Sequence, residues 1–271
     1  MNSTDDAWRA WGERDPYFAV LTNPIFRRAN LDEAAMREFF ESGERQVDHL
    51  LFHCRRHFGS TFSFGRTLDF GCGVGRILVP MARIAAEVVG VDVSPAMLDE
   101  AREHCVSAGV SDKVTLALSD DGLTRVEGTF DFVYSVIVLQ HIDVERGRAF
   151  FERLVDLLAP DGVAALHVTY AKAAHAERFG RPPELPIAPS TSARIRSAVR
   201  VGLTRLGLIP PRPSTTRPDP QMQMNSYSLN DLLFIAQRRG VQTVHVELTD
   251  HGGELGAVLL FRRPAVPVPT A

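Results

Sequence analysis

The sequence is poor in the features that mark several protein classes. It has three cysteines, Cys54, Cys72 and Cys105, and no C-x-x-C pair, which excludes a disulfide framework and a cysteine-based zinc site. A reducing compartment fits that usage. No uninterrupted apolar run is long enough to span a bilayer. The N-terminus is acidic and polar, without the basic and apolar regions of a signal peptide, so a cytoplasmic chain is expected. An excess of one charge is also missing. Lys plus Arg number 30 against 33 Asp plus Glu, a net −3 that favours neither nucleic acid nor anionic lipid as a partner. There is no internal repeat. A chain of 271 residues that is 45% hydrophobic can bury a core without metal or disulfide help, as one large domain.

Residues 66–170 alternate short β-branched runs with longer amphipathic ones. Strands are predicted at residues 67–70, 88–91, 114–118, 130–136 and 162–169, and helices at 77–86, 94–108 and 143–158. Ser94 caps the second helix, Pro95 occupies its first turn and Gly109 ends it. This alternation predicts a parallel sheet with helices on both faces and right-handed crossovers. A further helix is predicted at 228–239. Two strands follow, at 241–248 and 256–262, joined by a Gly-rich turn as an antiparallel hairpin. The expectation is therefore an α/β fold with a seven-stranded, mostly parallel sheet that closes on an antiparallel C-terminal strand. Residues 1–60 read as a helical cap, with helices at 31–40 and 44–58. Residues 171–226 are Arg- and Pro-rich, with an amphipathic stretch at 195–206 whose cations are Arg194, Arg196, Arg200 and Arg205. They read as an insert with a lid helix. Both segments are taken as caps on one domain spanning 61–271, which ends in a frayed Pro-rich tail.

The most informative run is Asp69-Phe-Gly-Cys-Gly-Val-Gly-Arg76, a glycine loop between a strand and a helix. Gly71, Gly73 and Gly75 let the backbone turn sharply and approach a ligand. The spacing departs from the dinucleotide fingerprint, with Arg76 where the last Gly should stand. Asp69, two positions before the first Gly, would repel a diphosphate and suit a cationic ligand. Asp92 ends the next strand, where a carboxylate can accept both hydroxyls of a ribose. A ribose and a cationic centre without a diphosphate point to S-adenosylmethionine.

These residues resemble the class I S-adenosylmethionine-dependent methyltransferases. The run 69–76 resembles their first motif, Gly90-Val-Asp-Val-Ser-Pro-Ala-Met-Leu98 the acidic motif, and Ser119-Asp-Asp-Gly122 the loop after strand three. Phe130-Asp-Phe-Val-Tyr-Ser135 resembles the fourth-strand motif, and Leu158-Ala-Pro-Asp-Gly-Val163 the turn before strand five, with Asp161 where the family usually has Gly. The resemblance implies a Rossmann-like fold and S-adenosylmethionine as methyl donor. It implies that Asp69 and the backbone of Gly71, Cys72, Gly73 and Gly75 hold the methionine moiety. Asp92 would hold the ribose, and Val93 and Met97 would flank the adenine. Asp121, with Asp120 as the competing candidate, would accept from the adenine amino group beside Gly122, although a solvated turn also fits those residues. Ser135 and Val136 would close the pocket floor.

Methyl transfer to a hydroxyl needs a general base, whereas a neutral amine needs less help. His141, beside Gln140 after the fourth strand, is the base candidate, and its other reading is a residue that fixes its loop. His251 is a second candidate within a hairpin turn, and His167 reads as a satisfied core residue. Tyr17 and Phe40 are candidates for covering the cofactor and acceptor, whereas Trp8 and Trp11 read as cap packing. His49, His53 and His57 form a helical stripe without the H-E-x-x-H glutamate. They read as a solvated edge, and no metal is expected. The sequence thus predicts an S-adenosylmethionine-dependent methyltransferase acting on a small-molecule hydroxyl, of a saccharide or natural product, with neither nucleic acid nor membrane as partner. Small-molecule N-methylation and a non-catalytic cofactor-binding partner subunit are the alternatives. Self-association as a homo-oligomer stays open.

Overall fold

A computed structural model describes residues 4–174 and 219–265. The amphipathic stretch expected at 195–206 and the end of the tail lie outside them. The N-terminal part holds α1 (Thr4–Arg14), α2 (Pro16–Val20) and α3 (Glu33–Phe58). The sheet region follows as β1 (Arg66–Phe70), α4 (Leu78–Ile84), β2 (Glu87–Asp92), α5 (Pro95–Ser107), β3 (Val114–Leu118), β4 (Phe130–Ser135), α6 (Val144–Asp156) and β5 (Leu158–Lys172). The chain closes with α7 (Leu229–Arg238), β6 (Val244–Asp250) and β7 (Glu254–Arg262).

The seven strands form one sheet in the order β3-β2-β1-β4-β5-β7-β6. All neighbours are parallel except for β7, which runs antiparallel to both β5 and β6. Strand order reverses between β1 and β4, so their carboxyl ends diverge into a crevice. One apolar layer includes Phe150, Phe151 and Leu154 of α6 and Leu232 and Ile235 of α7. The other includes Val47, Leu50 and Cys54 of α3, Leu78 and Met81 of α4, and Leu98 of α5. A third cluster joins Trp11, Tyr17, Phe26 and Phe39 to Val74 and Met97, so the N-terminal helices pack on the glycine loop and α5.

Local chemistry accounts for many element ends. Ser94 accepts from the Met97 N–H as the N-cap of α5, Asp143 caps α6 on Glu145, and Ser228 caps α7 on Asp231. Asp161 sits at φ +63°, a left-handed conformation that Asp tolerates better than most residues and that Gly adopts freely.

Three expectations are corrected. The helices predicted at 31–40 and 44–58 are one helix of 26 residues running through Gly43. Gly43 does not break it. A Cβ there would collide with the Arg76 carbonyl, so the glycine serves close packing of α3 on the sheet region. Strand β5 begins earlier than predicted and runs through Pro160 and Gly162, with a register shift against β4. The histidine stripe is an edge less open than expected: His49, itself exposed, and His53 meet Glu247 of β6, and His57 stacks on His245.

Candidate active site

The crevice at the carboxyl ends of β1 and β4 holds a cavity. Asp69, Phe70, Gly71, Cys72, Gly73, Arg76, Val91, Asp92, Val93 and Met97 line one part of it, and Val136, Ile137, Val138 and His141 line another. The glycine loop is stitched to β2, because Gly71 N–H and Cys72 N–H both donate to the Val91 carbonyl, at 2.8 and 3.0 Å. Gly73 N–H donates to Asp92 Oδ2 at 2.9 Å, and Ser94 N–H to Oδ1 at 2.8 Å. Gly71 has φ +81° and faces Val138 so closely that a Cβ would collide with it. Ile137, a β-branched residue on the cavity wall, sits at φ +60°, the kind of strain that a surrounding structure must hold in place.

Two buried ionic groups are incompletely partnered. Asp69 Oδ2 accepts no hydrogen bond, and Arg76 Nε donates none. Burial pushes the Asp69 carboxyl up to about 7, and Asp92 nearby adds to the rise. Tyr134 pairs in register with Asp69 across β1 and β4, and its buried hydroxyl makes no hydrogen bond. Burial also raises Asp92, against the pull of its backbone donors, and lowers Arg76 to about 10. A carboxylate and a guanidinium left open beside one cavity suit a zwitterionic amino-acid end, and each Asp92 oxygen keeps acceptor capacity for a hydroxyl. A diphosphate would meet two anions here. The residues fit S-adenosylmethionine.

His141 is 8% exposed and lines the same cavity. Its Nδ1 lies 2.8 Å from the Gln223 carbonyl, which makes Nδ1 the protonated nitrogen and leaves Nε2 as the acceptor. Burial lowers its pKa, so the ring is neutral at pH 7. Trp8 packs against it with ring centroids 4.8 Å apart.

Other candidates lie elsewhere. Tyr17 is not on the cavity wall, because its hydroxyl is engaged by Glu100 at 2.7 Å and His104 at 2.6 Å. Phe40 packs on His104, 4.7 Å between centroids, and also stays off the wall. Gln140 is buried behind His141, where its Oε1 accepts from Thr169 at 2.7 Å. His251 is exposed, faces His167 across 5.2 Å and does not line the cavity. His167 is a core residue bonded to Thr249, with its pKa lowered by burial to about 4. Ser135 sits behind Val136, donating to the Phe70 carbonyl at 3.0 Å. Gly75 shapes the loop at φ +88° without facing the cavity. Asp120 spends its carboxylate on Gly122 N–H and Thr124, closing its own turn. Asp121 is exposed and bound to Arg146. Ser119, not residues 120–122, reaches the cavity.

The contribution of α1 and α6 is not foreseen from the sequence. Thr4, Asp5 and Trp8 line the cavity together with Arg146 and Phe150. Arg146 clamps Asp5 with two bonds, at 2.6 and 2.9 Å, and so ties α1 to α6 across the opening. The spacing of Trp8 and Trp11 on α1 is the one signal the sequence offers. It cannot say which indole faces the core, and here that is Trp11.

The strand order and the cavity at its switch point define a doubly wound α/β protein with a ligand-sized crevice. Residues 67–162 match the family described as Methyltransferase domain. Over those residues the chain is similar to class I S-adenosylmethionine-dependent methyltransferases. The ubiquinone biosynthesis O-methyltransferase of Chelativorans sp. is 36% identical over 103 residues, 36% of this chain and 38% of that protein. The protein of that name from Xanthomonas euvesicatoria pv. vesicatoria is 30% identical over 143 residues, 51% of this chain and 59% of its own. The chain thus spans less than two thirds of the length of these curated relatives. The structure of Synechocystis magnesium protoporphyrin IX methyltransferase with bound SAM has a TM-score of 0.58 at 16% identity, covering 97% of this chain and 98% of that one, a likeness of fold. Among the described residues no helix is long and apolar enough to cross a membrane.

Proposed function

We propose that the chain transfers the methyl group of S-adenosylmethionine to a hydroxyl of a small molecule, a saccharide or natural product, with His141 as general base. The observation that carries this reading is His141 itself. It is a neutral imidazole with its Nδ1–H committed to a carbonyl, on the wall of the cavity that also holds the open carboxylate of Asp69. The relatives named O-methyltransferases support an oxygen acceptor.

In this reading Asp69 accepts from the ammonium of the methionine end, and Arg76 donates its free Nε–H to the carboxylate. The backbone from Gly71 to Gly73 lies against that end. Asp92 takes the ribose hydroxyls on its remaining lone pairs, and Val93 and Met97 flank the adenine. The bound cofactor supplies a methyl group on a good leaving group, so the protein's remaining tasks are alignment and proton removal. His141 Nε2 takes the acceptor's hydroxyl proton. Trp8 and the α1–α6 clamp keep water from the base.

Replacing His141 by Ala should cut turnover by about 100-fold or more, the usual range for a general base, with cofactor affinity retained. Because a neutral base is required and burial lowers its pKa, wild-type turnover should rise with pH through a value below 6.5, and His141→Ala should lose that limb. Unchanged turnover with cofactor bound would favour an amine acceptor. Calorimetric binding without turnover on any acceptor would favour a partner subunit, and no binding heat would overturn the reading.

A further inference from the structure

The histidine stripe of α3 takes no part in the chemistry above, yet among the described residues it belongs to the one cluster of three ligating side chains close enough to share an ion. His49 Nε2 lies 2.8 Å from Glu247 Oε1, and His53 Nε2 lies 3.3 Å from Glu247 Oε2. One donor atom from each of the three falls within 4.8 Å of the other two. Spacing puts these side chains on facing surfaces of α3 and β6. His49 and His53 are one helical turn apart, and Glu247 shares its strand face with His245, which stacks on His57 at 3.9 Å.

Two imidazoles turning Nε2 onto one carboxylate is more than a surface ion pair needs. Two nitrogens and one carboxylate oxygen are a donor set for borderline divalent transition ions. Three protein ligands leave a fourth tetrahedral position for water.

We infer that His49, His53 and Glu247 bind one zinc-class divalent ion, which clips α3 to the edge strand β6. The strand is the outer edge of the sheet, with one side of its backbone unpaired in the sheet order, and the clip would hold a helix against it. The site lies away from the cofactor cavity, so it is independent of the methyl-transfer reading.

The test uses the tag-free full-length chain and cobalt(II) as probe, without S-adenosylmethionine. One equivalent should give the visible ligand-field absorption of tetrahedral cobalt, and zinc should abolish it. Metal at about 100 times its dissociation constant should raise Tm by roughly 5 °C or more. His53→Ala and Glu247→Gln should each weaken binding by about 100-fold and lose the Tm shift. Should circular dichroism show His53→Ala unfolded, the more exposed His49→Gln replaces it as the test variant, with the same loss expected. Absence of absorption and of any Tm shift at millimolar metal would overturn the inference. So would cobalt binding that survives in the folded variants.

Discussion

The cavity wall formed by residues 69–73 and 91–93 and the wall formed by residues 4–20 differ in how their side chains reach the same space. The first is made of consecutive residues at strand ends. Its geometry follows from local rules: a buried strand, positive-φ glycines, and a carboxylate capped by backbone donors. The second is placed by contacts between segments far apart in sequence. Trp8 meets His141, Asp5 meets Arg146, and Val20 meets Gly73. The first wall is therefore readable as a motif. The second is readable only as a surface.

Three substitutions sharpen that contrast. Asp69→Asn breaks the locally built wall and should have the largest effect. Losing a charge-assisted contact in a dry site should weaken S-adenosylmethionine binding by roughly 30- to 100-fold in calorimetry. The same change should stabilise the ligand-free chain at high pH. The Asp69 pKa in the folded chain, about 7, lies above its unfolded value, so its contribution to stability is full at low pH and is lost as pH rises through about 7. Wild-type Tm without ligand should therefore drop from pH 6 to pH 8 more than that of Asp69→Asn. An equal drop would show that Asp69 is not the strained group.

Gly43→Ala attacks the same wall from behind, through the packing of α3 on the glycine loop. The methyl group would strike the Arg76 carbonyl, and this overpacking should outweigh the better helix propensity of Ala by about 2 kcal/mol. A Tm drop of roughly 4–8 °C is expected. No drop would mean that α3 sits less tightly on the glycine loop. Asp121→Asn is the smallest perturbation and tests the boundary between the walls. Its carboxylate is exposed and bound to Arg146, so cofactor affinity should change by less than about threefold. A larger loss would return Asp121 to the adenine.

The legibility of the site follows the same division. Asp69, Gly71, Gly73 and Asp92 belong to a strand-loop-helix unit whose chemistry is local, and each lies on the cavity wall as its motif implies. Tyr17 and Phe40 are candidates in the sequence because aromatics can cover a ligand, but a nearby hydrogen-bonding pair, Glu100 and His104, draws Tyr17 away. Trp8 reads as packing, since helical spacing cannot tell which of two indoles faces a cavity. The helices expected at 31–40 and 44–58 are one, and the close approach of Gly43 to Arg76 that holds it there is a tertiary requirement that glycine's low helix propensity does not reveal.

Alternating strands and helices, the glycine loop, the paired acids and the reversed last strand can all be read from the chain, because each depends on neighbours a few residues away or on a repeating apolar period. The company each histidine keeps cannot. His141 beside Trp8, His167 in the core, and His49 and His53 against Glu247 depend on segments that meet only when the sheet is complete. For an imidazole, burial and its hydrogen-bond partner decide protonation and role, and both are properties of the folded chain.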